Sequence, residues 1–134
     1  MLPTYTSFAK ILEATNRIPF TNRDGAELLA YLKSAAKNGL DISVHPIMKG
    51  SIQENFGEGV IVLTSAALDA DFVVIKVDGG HGFFGGQKSN FMFYVGRVES
   101  DELMPGATFR SFARAITSIN NIYRGAGLLR GPAL

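Results

Sequence analysis

The sequence predicts an α+β fold, a two-layer sandwich in which an antiparallel sheet of about four strands carries helices on one face. Apolar side chains recur at helical spacing over residues 5–17, 24–38 and 108–124. Residues 40–98 are instead rich in β-branched and aromatic side chains, which favour strands. The gaps between these strands contain Asp, Ala and Gly without a long helical pattern, so antiparallel neighbours are expected. The expected order of elements is α-α-β-β-β-β-α.

Length and composition fit one globular domain over residues 1–134. Hydrophobic residues make up 46% of the chain and charged residues 19%, which argues against intrinsic disorder. Cysteine is absent, so disulfides, thiolate metal sites and cysteine catalysis are excluded. No apolar run approaches the ~18 residues of a membrane span, and no secretory signal is visible. We therefore expect a cytoplasmic protein that makes no contact with membranes.

Two helices are predicted before the strands. The first covers residues 5–17 and ends before Pro19, because the residue preceding a proline avoids the helical conformation. The second covers residues 24–38, with Thr21 and Asp24 at the spacing of a capping box and Gly39 as its stop. Its expected apolar face comprises Leu28, Leu29, Leu32 and Ala36.

The strand candidates are apolar on both faces. In residues 72–77, Phe72 and Val74 alternate with Val73, Ile75 and Val77. One layer of helices covers only one face of a sheet, so the second face needs a cover from the chain itself or from another molecule. An exposed apolar face usually marks an interface, and homodimerisation through the sheet is one hypothesis.

The last helix is predicted over residues 108–124, with Thr108 as its cap and Gly125 as its stop. Its apolar side chains share one face, and the opposite face forms a ridge of Arg110, Arg114, Thr117, Asn121 and Arg124. The net charge is +2 over residues 1–40, −5 over 41–104 and +4 over 105–134. The helical half is therefore basic and the sheet half acidic. The ridge suits phosphates or an acidic partner, although a solvated helix face has the same pattern.

The most unusual segment is the glycine-rich stretch from Asp78 to Lys88. It matches GxGxxG literally, but a strand follows it where a dinucleotide site requires a helix, so that interpretation is rejected. One remaining hypothesis is a long loop that presents His81, Phe83 and Phe84 to a partner. The alternative is a loop that folds back on the core, with its glycines serving β-bulges.

Few residues suit catalysis. His45 and His81 are the only imidazole groups, and no recognised catalytic or metal-binding motif contains them. Asp69 and Asp71 resemble turn residues between strands, and residues 99–102 resemble a solvated loop. No cofactor, metal or catalytic residue is predicted. Enzymatic activity stays an open alternative that this inventory of residues disfavours.

The leading functional hypothesis is a non-enzymatic protein-interaction module, such as an inhibitor, adaptor or assembly subunit. It would contact another protein, or a second copy of itself, through the glycine-rich aromatic loop or an apolar sheet face. One alternative is nucleic-acid binding through the basic C-terminal helix, and another is a small enzyme that uses His81. Small size and the lack of known motifs are also typical of accessory proteins of phages and mobile elements.

Overall fold

Every strand of the sheet pairs with its neighbour in sequence, in an antiparallel meander. The computed structural model describes residues 17–45, 59–81, 89–99 and 102–129. The sheet has the order β1-β2-β3-β4-β5. In chain order, the elements are α1 (Asn22–Lys37), β1 (Ser43–Val44), β2 (Val60–Ser65), β3 (Ala70–His81), β4 (Ser89–Glu99), β5 (Glu102–Phe109), α2 (Phe112–Thr117) and α3 (Ile119–Gly125). The predicted α+β class and antiparallel pairing are confirmed, whereas the helix expected over residues 5–17 lies outside the described residues, apart from Arg17.

A fifth strand, β5, was not predicted. Glu99 and Glu102, which the sequence suggested were part of a loop, are instead paired with each other in β4 and β5. Strand β5 then continues to Phe109, which pairs with Phe93 of β4. Pairing with a neighbouring strand therefore outweighs the turn-forming tendency of the local sequence.

The C-terminal helical region starts later than predicted and is divided in two. Thr108 pairs with Tyr94 as part of β5, so it does not cap a helix. Ser111 is the cap, and its Oγ accepts a hydrogen bond from the Arg114 amide at 3.1 Å. The division falls at Thr117 and Ser118, whose hydroxyls donate to backbone carbonyls one turn earlier. Such bonds bend helices, which fits a break at this point.

Helix α1 forms as the sequence predicts, with a rotated buried face. The capping box is present: the Thr21 amide donates to the Asp24 carboxylate at 2.9 Å, and the Asp24 amide donates to the Thr21 hydroxyl at 3.1 Å. Gly39 follows the helix with φ of +78°, a conformation that favours glycine. The buried residues are Asp24, Leu28, Tyr31 and Ala35. Leu29, expected in the core, is 55% exposed because Asp24 and Tyr31 take polar partners on the inner side.

The three helices that the structure describes pack on one face of the sheet. Their core includes an aromatic cluster in which the rings of Phe20, Phe93 and Phe112 lie 5.3–6.2 Å apart between centroids. The second face carries a smaller cluster of Val62, Val73, Ile75 and Val98, each at most 5% exposed. The two-sided apolar pattern is therefore confirmed. These four positions form no open apolar surface, and self-association through this face stays a prediction.

Candidate functional site

The glycine-rich segment is partly strand. Strand β3 continues through Gly79 and Gly80 to His81, which pairs with Ser89 of β4. The register shifts between Asp78 and His81, as expected for a β-bulge. This geometry agrees with the rejection of a dinucleotide site, because a strand follows the glycines. Of the partner-binding residues predicted here, only the backbone of His81 is described, and Phe83 and Phe84 lie outside the described residues.

The predicted arginine ridge is only partly helical. Arg110 lies in the turn before α2 and is exposed, because β5 extends to its neighbour Phe109. Arg114 on α2 and Asn121 on α3 are exposed on the helices, as predicted. Arg124 is half-buried, and its Nη1 donates to the Asn121 side-chain oxygen at 3.0 Å. Arg124 Nε is buried without a hydrogen-bond partner, alone in this respect among the side chains that the structure describes.

Helix α1 adds positive charge to the same layer. It packs beside α2, and the Tyr31 hydroxyl donates to Asn120 of α3 at 2.9 Å. Its outward side carries the exposed Lys33 and Lys37. We call the outer side of this layer the basic helical surface, which comprises Lys33, Lys37, Arg110, Arg114 and Arg124. The adjacent acid on α1, Glu27, pairs with Arg23 at 3.3 Å. The sequence identified the N-terminal and C-terminal segments as basic. The placement of their lysines and arginines on one layer depends on how the helices pack.

Acidic residues gather at one end of the sheet. The β2–β3 and β4–β5 connections lie at the same end, since Ala70 pairs with both Ser65 and Glu99. This end carries the exposed Asp69, with φ of +50° in the turn, and the backbone positions Glu99 and Glu102. The separation of charge predicted from the sequence is thus expressed as a basic helical layer and an acidic sheet end.

A hydrogen-bond network at this acidic end joins three parts of the chain. Asp41 accepts from the Ser65 hydroxyl at 2.7 Å, from the Tyr123 hydroxyl at 2.8 Å and from the Ala67 amide at 2.9 Å. Burial acts to raise the pKa of Asp41, but these hydrogen bonds outweigh it and lower the pKa below its usual value. Burial, together with the bond and negative charge of Asp41, raises the pKa of Tyr123 to about 12. The network therefore holds α3 to the β2–β3 turn while Asp41 is ionised.

A polar group on the second sheet face was missed by sequence reasoning. His45 Nε2 lies 3.6 Å from Asp71 Oδ2, and Asp71 Oδ1 accepts from the Thr64 hydroxyl at 2.6 Å. Asp71 is thus a strand residue paired with Thr64, and its interpretation as a turn residue was wrong. The carboxylate lies between the hydroxyl and the imidazole, so His45 is not placed to take a proton from Thr64. A signal for this group was available in the alternation of polar and apolar residues along each strand.

The buried charge of the sheet is Lys76, whose side chain is 4% exposed. Its Nζ lies 3.4 Å from Asp24 Oδ2, and 4.7 Å and 5.6 Å from the ring centroids of Phe91 and Phe93. Asp24 therefore serves the helix cap and neutralises Lys76 at the same time. This pair joins β3 to the start of α1 and has a structural role.

A cleft of about 370 Å³ opens between α3 and the last two strands. It is lined by Phe72, Val95, Gly96, Arg97, Gly106, Ala107, Phe109, Ser118 and Ile122. Sequence reasoning did not predict this cleft, because its walls come from β3, β4, β5 and the helix break.

Within the described ranges, no group of three or more His, Cys, Asp or Glu side chains is arranged to hold a metal ion. No described helix is both long and apolar enough to cross a membrane. Comparison with protein-family models, curated proteins and solved structures gave no match, so the functional proposal below rests on geometry and charge.

Proposed function

We propose that this chain is a non-enzymatic interaction module that binds an acidic protein partner through the basic helical surface. The observation that carries the proposal is that the helices bearing Lys33 and Arg114 pack against each other, while Lys33, Lys37, Arg110 and Arg114 are all exposed. Clustered charge of one sign attracts a partner of the opposite sign and orients its approach. The acidic sheet end would repel the same partner and favour one docking orientation.

A protein partner is favoured over nucleic acid by the apolar content of this surface. Leu29 is 55% exposed and lies one turn before Lys33, with the exposed Ala26 and Ala30 beside it on α1. Apolar side chains within a charged rim are the usual composition of protein interfaces. Phosphate-binding surfaces depend on dense Lys and Arg clusters instead, and the pI near 8.0 is lower than is typical of nucleic-acid modules.

The aromatic loop belongs to the proposal as a second contact. Phe83 and Phe84 would add apolar anchors to a partner held by charge, and their joint replacement by Ser is expected to weaken binding. A homodimer, and an accessory role in a phage or mobile element, are further forms that such a module takes. The cytoplasm remains the expected setting.

The test is affinity capture from extract of the native cells, with and without nuclease treatment, using two variants of equal net charge. Lys33→Gln/Arg114→Gln removes two positive charges from the basic helical surface. Ala66→Glu/Ala67→Glu adds two negative charges to the exposed β2–β3 turn instead. The proposal expects a stoichiometric protein that the wild type and the turn variant retain and the surface variant loses.

Two outcomes contradict the proposal. Equal recovery of the partner by all three proteins would show that the basic helical surface does not take part in the interaction. Recovery that disappears with nuclease, with affinity falling by a log–log salt slope of about −0.7 to −0.9 per phosphate, would establish nucleic-acid binding instead.

A further inference from the structure

The cleft beside α3 has a local cause in the sheet. Val95 pairs with Ala107 and Arg97 pairs with Met104, so one residue of β4, Gly96, stands opposite two residues of β5. This bulge brings the backbones of Gly96 and Gly106 to the cleft. Above the bulge, the helix breaks at Ser118, so no straight helix covers the site. The gap is therefore produced by two backbone irregularities that face each other.

The size and apolar lining of the cleft suit a small molecule. Phe72 and Val95 lie beneath it, 0% and 8% exposed, and the half-buried Phe109 and Ile122 form its accessible walls. A volume of about 370 Å³ falls in the range of small-ligand sites, roughly 300–1,000 Å³.

The polar groups of the cleft select the sign of the ligand's charge. Among the described residues that line it, Arg97 is the one ionisable group and none is an acid. The hydroxyl proton of Ser118 is already donated to the Ala115 carbonyl at 2.6 Å, so this side chain has no proton to offer a ligand. Arg97 also interacts elsewhere in the chain, but a guanidinium has five N–H donors and can bind an anion as well.

We propose that this cleft binds a small amphipathic anion, whose apolar chain lies against Phe109 and Ile122 and whose head group meets Arg97. Carboxylate and phosphate head groups share the oxygen geometry that a guanidinium binds with two hydrogen bonds. The inference does not depend on the proposed function, because none of the cleft residues belongs to the basic helical surface.

The test uses octanoate, octyl phosphate and octanol as probes, with binding to the full chain measured by calorimetry and by amide NMR shifts. Octanoate or octyl phosphate is expected to saturate one site and to shift the amides of Gly96, Ala107 and Ile122. The stronger of these two probes identifies the head group. Octanol tests the apolar part of the cleft alone.

Three variants separate the cleft from general surface binding. Ala107→Trp fills the cleft from an exposed position on its rim, whereas Ala113→Trp adds the same ring at an exposed site on α2 away from the lining. Arg97→Gln removes the cation. Binding is expected to be lost in the first and unchanged in the second. In the third, anion affinity should fall about tenfold while octanol binding stays the same.

The proposal is overturned if neither anion saturates a site on the wild type, or if the two Trp variants bind equally. Octanoate and octanol binding with equal affinity would also overturn it, because Arg97 would then make no contribution. The wild-type NMR shifts decide the location of the site even if a variant fails to fold.

Discussion

The Asp24 carboxylate both caps helix α1 and neutralises Lys76. Variants that remove both interactions, or only the ion pair, test the role of this buried pair. The carboxylate accepts from the Thr21 amide at 2.9 Å and neutralises Lys76 at 3.4 Å. Asp24→Ala removes both interactions, whereas Lys76→Met removes the ion pair and leaves the helix cap intact. The double variant has neither charge.

The magnitudes follow from burial. The Lys76 side chain is 4% exposed and that of Asp24 is 11%, so a charge left behind is poorly hydrated. Breaking a buried pair from one side costs about 3–5 kcal/mol, and the lost capping hydrogen bond adds about 0.5–1.5 kcal/mol. We therefore expect Asp24→Ala to cost about 4–6 kcal/mol. Lys76→Met should cost about 1–2 kcal/mol, because Asp24 keeps its amide bond and the favourable helix N-terminus.

The double variant gives the decisive sign. Once Asp24 is absent, the remaining described partners of the Lys76 ammonium are the faces of Phe91 and Phe93. Replacement of this cation by an apolar side chain of similar length should then raise stability by about 2 kcal/mol relative to Asp24→Ala alone.

Urea unfolding followed by circular dichroism gives the free energy of unfolding of the wild type, the two single variants and the double variant, from the midpoint and slope of each curve. Arg23→Ala is the matched control, because it breaks the exposed Arg23–Glu27 pair one residue away and should change stability by less than about 0.5 kcal/mol. A double variant less stable than Asp24→Ala would refute the reasoning, since it would show that Lys76 stabilises the fold without its counter-charge.

Three further predictions concern pH, close packing and the helix boundary. Because the pKa of Asp41 is lowered in the folded state, its carboxylate contributes stability above its unfolded pKa of about 4. This stability is lost as the pH falls through the folded-state pKa. Asp41→Asn should flatten this part of the acid-unfolding profile, and an unchanged profile would contradict the prediction. Gly106→Ala should cost about 1–3 kcal/mol in chemical unfolding, because a Cβ there would lie 2.3 Å from a carbonyl oxygen of β4. A Cβ at Gly125 would meet nothing within 4 Å, so Gly125→Ala should stabilise the fold by about 0.5–1 kcal/mol. Equal effects of the two variants would be inconsistent with this packing. Ser111→Ala should lower the thermal midpoint, because it removes a cap worth about 1 kcal/mol, whereas Thr108→Ala removes no cap. A larger fall in the midpoint for Thr108→Ala than for Ser111→Ala would support the helix start predicted from the sequence.

Features that depend on near neighbours were predictable from the sequence. The capping box of Thr21 and Asp24, the turn at Gly39 and the alternating faces of residues 72–77 all arise from side chains within four positions of each other. The antiparallel order also followed, because the gaps between the main strand candidates contain Asp, Ala and Gly without a long helical pattern.

The start of the C-terminal helix was mispredicted because two local preferences compete there. Residues 108 and 109 fit the helical apolar pattern, but they also extend the β5 ladder beside β4. Strand pairing is settled by a partner about 15 residues away, which the local pattern does not contain. The same pairing removed Arg110 from the predicted ridge.

The candidate sites show the same division. The sequence alone determined which residues carry charge and which segments are basic or acidic, since these are properties of composition. Only the tertiary structure decided that the helices bearing Lys33 and Arg114 pack together, that Lys76 meets Asp24 across 52 positions, and that two backbone irregularities enclose a cleft. The physical reason is that contacts between distant segments depend on how whole elements pack, and packing is a collective result of the core that no short stretch of residues encodes.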